Sequence, residues 1–428
     1  MYLNQPSPGE NSRFIRSRLR LAAGITLTGL SCLLLPALPA RAQMLYWDSN
    51  GATTGAGVTP TGTWGTGTDL FWSTDPLGEL ATAAWISGRT AVFSAGADAS
   101  GAFTVTITGN QTAGGITVDE GTVSIAGGAA VIGAGPVIVN AGATLSIDSL
   151  ARISATAGST LTINGGTVRS TNPGGGGSFV DADLVIVLGP GGGTLSYTTA
   201  GLLSIVNPTT IISGTGPLTK AGAGILAIGS PCTYSGSTII NDGTLRIRAT
   251  SNRLPTTTDV ILNSPGALDP GSTADTIQQI NTINGNGNVT FSANSTLLIT
   301  GDSDSTLSGV ISDGTVFGRI SKNGAGTLTL SGLNTYDGRF TNDTGTTTIS
   351  PGASWCGPLC DVYINGGTVN VNNAAQTIRD LSGAGGTINL GAGNMLTTDP
   401  ASSTTFSGTL AGPGGLTKAN VEIGRAHV

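Results

Sequence analysis

The chain has 428 residues, of which 68 are Gly, one is His and only 10% are charged. Ordinary soluble domains carry roughly 25% charged residues and about 7% Gly, yet a mean hydropathy of +0.19 is too apolar for a disordered chain. The net charge is −6 and Lys and Arg are scattered, which argues against a basic nucleic-acid face or a basic amphipathic membrane stretch.

Residues 1–42 read as an export signal. Arg13, Arg16, Arg18 and Arg20 precede the apolar run "LAAGITLTGLSCLLLPALP", and Ala40-Arg41-Ala42 supplies a small-x-small cleavage site marked by Ala40 and Ala42. The run is short and contains Pro36 and Pro39, which disfavours a membrane anchor. Removing five Arg and one Glu with this segment takes the net charge from −6 to −10.

Four of the five tryptophans, Trp47, Trp64, Trp72 and Trp85, fall within residues 43–100. A stacked repeat needs an atypical first unit to cover its open edge, so this stretch is expected to be an aromatic-rich N-terminal cap. An aromatic sugar-binding platform is the alternative. From 101 onward the chain alternates apolar and small polar residues in short runs such as "FTVTITG", broken by Gly, Asn and Asp. That is strand composition punctuated by turns, with no helical period. Residues 101–213 read as degenerate coils of the same kind.

Clear repeats fill 214–419. Residues 214–247, "GTGPLTKAGAGILAIGSPCTYSGSTIINDGTLRI", align with 319–349, "RISKNGAGTLTLSGLNTYDGRFTNDTGTTTI". At an offset of 102, Lys220 falls on Lys322, Gly222 on Gly324, Gly224 on Gly326 and Tyr234 on Tyr336. A third copy opens at 412 and stops just after Lys418. Between them a second module recurs, residues 280–314 resembling 378–414. Each unit can bury its alternating apolar face only against the next coil. The pattern therefore predicts an all-β fold: a right-handed parallel β-helix, or solenoid. Coils of roughly 20–25 residues would give on the order of 15–19 turns.

"GPLTKAGAGILAI…TYSGSTIINDGTLRI" and "ISKNGAGTLTLSGLNTYDG" resemble the autotransporter-associated β-strand repeat. That pattern sets Lys, Gly and Tyr at fixed distances. The resemblance implies a passenger region exported to the cell surface or outer membrane of a Gram-negative bacterium, or secreted from it. It implies a structural stalk or an adhesin. It carries no catalytic residues, no metal site and no cofactor. Its ligand would be a host or matrix glycan or protein, and the chain would be monomeric. Contact with the membrane would run only through a C-terminal β-barrel, which is missing from this sequence.

Other chemistry is thinly represented. Cys232 stands in a turn where the next copy has Asn334. Cys356 and Cys360 in "SWCGPLC" have three residues between them, not the two of a thioredoxin-type site, and their flanks read as strands. In an exported protein they are a candidate disulfide closing a small loop, at the low end of roughly 0–5 kcal/mol. Asp302 and Asp304 in "GDSDS" are the nearest approach to the paired carboxylates of a carbohydrate-active β-helix enzyme. That enzyme is the alternative reading, beside a repeat-bearing surface protein with a short C-terminal sorting anchor. The tail at 420–428 contains "EIGRAHV", which breaks off the third copy and holds the lone His427. It resembles a translated sequencing adapter, which would make the chain a fragment.

Overall fold

The computed structural model describes residues 43–419, apart from 66, 134, 149–152, 157, 173–183, 206–210, 249 and 401–402. The export signal, with Ala40 and Ala42, and the tail with His427 lie outside the described residues. All regular structure described is β, and nearly all pairing is parallel. No described helix is long and apolar enough to cross a membrane.

The strands stack as a solenoid of about 14 turns. One face, face I, runs the whole length. Its inward column steps from Phe103 to Val123, Leu145, Val168 and Leu195, and later through Leu307, Leu330, Ile349 and Val371 to Leu390. Successive column residues are separated by 19 positions (Leu330 to Ile349) up to 27 (Val168 to Leu195). The turn number falls below the expected 15–19 because residues 43–100 do not form full coils and some coils exceed 25 residues.

Face II begins with Leu202–Ile205 and resumes in Ala375–Ile378, Met395–Thr398 and Gly415–Lys418. Face III is built from one sheet up to Ile212–Gly214 and another from Ile277–Ile280 to Leu381–Ser382. The chain visits the faces in the order I, II, III, as Asp259–Leu262, Ala267–Asp269 and Ile277–Ile280 illustrate. Asn281 alone makes the corner back to face I, where Thr282–Gly285 follows.

Alternation turns one side of most strands inward, as in Thr160–Ile163 and Thr327–Leu330. On face II, Leu203, Leu226, Leu245, Leu268, Val289 and Ile311 are register partners in succession, and all are buried. Full burial of such a side chain is worth about 1.5–3 kcal/mol, so the stacked columns are the main source of cohesion. At the corners, side-chain amides tie coil to coil. Asn263 donates to Asn241 at 2.7 Å, Asn365 to Asp343 at 2.8 Å and Asn140 to Asp119 at 2.6 Å.

At the N-terminal end the four tryptophans form one buried cluster with Phe93. Trp47 meets Trp72 edge-on at 5.1 Å, and Trp64 meets Trp85 at 4.9 Å. Met44–Trp47 pairs parallel with Thr90–Phe93 and antiparallel with Trp72–Ser73. The antiparallel strand ends parallel growth at that edge. None of the four indoles is more than 8% exposed, so the sugar-platform alternative fails: no ring face is open to stack on a ligand.

The sequence repeat is out of phase with the coil. Lys220 lies on face I, in Leu218–Ala221, whereas Lys322 lies on face III, in Arg319–Lys322, and Lys418 on face II. From Lys220 the face I column passes Ile240, Leu262, Gly285 and Leu307, four full turns, before the chain reaches Lys322 two faces later. One superrepeat is thus four and two-thirds turns, and each copy presents its signature one face away from the last.

Candidate ligand-binding face

The signature residues are structural parts of the corner. Lys220 occupies an inward position between Leu195 and Ile240 in register and is fully buried. Its Nζ donates to the carbonyls of Ala221 at 3.0 Å, Gly222 at 2.5 Å and Asp242 at 2.9 Å. An ammonium has three protons, and here all three have acceptors. Burial nevertheless pushes its pKa down to about 8, against a smaller upward pull from Asp242. Lys322 repeats the device by donating to the carbonyl of Gly324, with its pKa also lowered by burial. Gly222 takes φ +76°, and a Cβ there would sit 2.4 Å from the Tyr197 carbonyl oxygen, so the motif needs glycine beside its lysine. Gly224, Gly324 and Gly326 sit as close to the preceding coil. Lys418 ends the strand on the last described coil.

The two tyrosines differ. Tyr234 Oη lies 2.5 Å from Thr238 Oγ1, which is in turn 3.0 Å from Thr258 Oγ1. In the next copy Phe340 stands at the position of Thr238, and the buried Tyr336 hydroxyl has no hydrogen-bond partner. Asn334 accepts from the Ile311 amide at 2.9 Å and donates to the Ser354 carbonyl at 2.8 Å, stitching three coils. Cys232, in the equivalent place, has its amide donating to the Arg253 carbonyl at 2.9 Å and its thiol donating to the Ser230 carbonyl at 3.8 Å, within its own turn. Burial pushes its thiol pKa up, so it is no nucleophile.

Cys356 and Cys360 are both buried, within hydrogen-bonding reach of one another, and the structure holds them as free thiols. Burial raises the pKa of Cys356 well above its ordinary value, the opposite of an activated redox cysteine.

Asp302 and Asp304 are spent on backbone. Asp302 accepts from the Ala325 amide and Asp304 from the Thr327 amide, both at 2.8 Å, so the pair caps the next coil. Among the described residues no group of three or more His, Cys, Asp or Glu is placed to hold a metal ion.

Sequence reasoning missed two features. Gln278 and Gln376 are buried clamps, equivalent across the second module at an offset of 98. Gln278 Oε1 accepts from the Arg253 and Leu254 amides at 3.0 and 3.1 Å; Gln376 Oε1 accepts from Trp355 at 2.7 Å. Their recurrence was the available signal.

The second feature is a cleft of about 280 Å³ on face III, bordered by Asn294, Phe317, Arg319, Gly338, Arg339, Asp361 and Arg379. Arg319, Arg339 and Asp361 are successive register partners on three stacked strands. Arg379 grips Asp361 through two bonds, Nε to Oδ1 at 2.7 Å and Nη2 to Oδ2 at 2.5 Å. The Arg339 guanidinium lies 4.4 Å from the centre of the Tyr363 ring. Basic residues scattered along the sequence thus converge in space.

Comparison with known proteins agrees with this architecture. The profile of the Passenger-associated-transport-repeat family matches residues 218–247 and 320–353. These are the two copies built around Lys220 and Lys322. The adhesin BmaC autotransporter of Brucella suis biovar 1 (strain 1330) is 29% identical over 310 residues. The match covers 66% of this chain but only 8% of the length of that adhesin. No solved structure matches the chain.

Proposed function

Because this chain carries passenger-associated transport repeats, as the Lys-Gly-Tyr spacing implied, we propose that it is the passenger region of an autotransporter. In this reading the chain is exported to the surface of a Gram-negative bacterium and serves there as a stalk or adhesin. The observation that carries the reading is the use made of its chemistry. The matched repeats spend their Lys, Asn and Asp side chains on the corner carbonyls of their own coil and on groups of neighbouring coils, and what they build is a long rod with an outer face. Binding would spread along that face, and catalysis would play no part. The likeness to an adhesin autotransporter supports the same assignment.

Antibodies raised against the solenoid test the assignment on intact cells of the source bacterium. Labelling without permeabilisation is the expected result. Labelling that appears only after the envelope is opened contradicts surface display.

A further inference from the structure

We infer that the face III cleft between Arg319, Arg339 and Phe317 is a binding site for a carboxylated sugar, such as a uronic acid residue of an acidic glycan. The inference names a ligand class for the passenger read above and rests on that reading for its biological setting.

The argument begins with an unbalanced pair of charges. Arg319 and Arg339 are direct register partners on neighbouring strands, which stand about 4.8 Å apart. Like charges placed opposite each other destabilise a sheet unless something lies between them. The available carboxylates do not fill that role for Arg339. Asp361, its partner on the other side, has both oxygens taken by Arg379. Asp275 reaches only Arg319, at 3.0 Å, and is itself 80% exposed. Among the described residues Arg339 makes no ion pair, and its one charge-related contact is the face of Tyr363. Held over a ring face, a guanidinium still has N–H donors to offer a planar anion, and carboxylate matches that fork.

Two further features select a sugar. Phe317 is 51% exposed at the rim of the cleft, so a large apolar side chain stands open to solvent beside the arginines. It is held there because its amide donates to Asn294 Oδ1 at 2.8 Å. A pyranose carboxylate offers an anion to the arginines and a C–H face to the ring together. Gly338 keeps the floor open and the coils close, since a Cβ there would lie 1.9 Å from the Gly318 carbonyl oxygen. An acidic peptide has less to gain. The strands beneath the cleft already pair on both sides, so strand addition is closed to it. The volume, about 280 Å³, suits one sugar unit of a chain passing over the face.

The purified full chain is assayed against immobilised polyglucuronate, with dextran as the neutral surface and polyglutamate as competitor. Binding to polyglucuronate alone is expected, weakening as salt rises. Arg339→Gln should weaken it at least about tenfold, the size of effect expected for a lost charge-assisted hydrogen bond. Phe317→Ala should weaken it too, while Arg248→Gln on another face should leave it unchanged. Both altered side chains are surface groups, and unchanged thermal melting certifies the fold. Equal affinity of Arg339→Gln and wild type overturns the site, as does an absence of polyglucuronate binding. Competition by polyglutamate as effective as by free polyglucuronate overturns the sugar assignment in favour of an acidic peptide. Surface labelling of intact cells does not depend on Arg339. Labelled cells whose Arg339→Gln chain keeps full affinity refute the site alone, and unlabelled cells refute the passenger alone.

Discussion

A lysine in the middle of an apolar column is the residue on which the repeat turns. Lys220 stands where Leu195 and Ile240 stand in the coils above and below it, and it is tolerated because three carbonyls converge on its amine. Replacing it by Met fits the column but orphans those carbonyls, so Lys220→Met should destabilise the protein by about 1–3 kcal/mol in denaturant titrations. The effect should depend on pH in a defined direction. The folded-state pKa, about 8, lies below the ordinary value of 10.5. Between these limits the unfolded chain binds more protons than the folded one, so wild-type stability rises with pH across that window. The variant lacks this rise. The gap between the two proteins should therefore widen from pH 8 to pH 10.5, and a constant gap would show that the amine does not titrate as its burial requires. Sequence spacing marked Lys220 and Lys322 as special. It could not say why, since three of the four acceptors are the carbonyls of small or turn residues with no side-chain signature, and Asp242 belongs to the next coil.

At the scale of the strand, equivalence in sequence does not ensure equivalence in contacts. Tyr234 and Tyr336 occupy the same motif position, but the strand that follows supplies Thr238 in one copy and Phe340 in the other. Tyr234→Phe should lower stability by about 1 kcal/mol, the net value of one buried hydrogen bond. Tyr336→Phe should raise it by a similar amount, because it removes a buried hydroxyl that has no partner. Thermal melting of the two variants checks both signs, and a loss in each would contradict the contrast. Runs such as "FTVTITG" and "GTLTLSG" are legible as strands, for a period of two can bury only one side. The gathering of Arg319, Arg339 and Arg379 was not legible. They lie 20 and 40 residues apart, and only the coil lengths between them bring them to one face. Coil lengths depend on corners, which range from the single residue Asn281 to long loops, and alternation does not encode them.

For the whole molecule, the decisive property is the mismatch between a superrepeat of four and two-thirds turns and a coil of three faces. Lys220, Lys322 and Lys418 mark faces I, III and II in turn, so any feature carried by the repeat winds around the rod as copies accumulate. A passenger with more copies would expose its variable positions in every direction, which suits a rod that meets partners at any angle of approach. The aromatic cluster closes the N-terminal end, and parallel stacking does the rest. The most direct test is cysteine trapping of outward register partners on each face: Thr329 with Thr348 on face I, Thr397 with Thr417 on face II, and Ser321 with Thr341 on face III. Strand partners lie within the Cα separation a disulfide spans. Each pair introduced singly, as Thr329→Cys with Thr348→Cys and likewise for the others, should cross-link on mild oxidation without loss of thermal stability. Failure of the Ser321 and Thr341 pair, while the Thr329 and Thr348 pair closes, would contradict the placement of the second lysine motif on its own face, and with it the winding repeat.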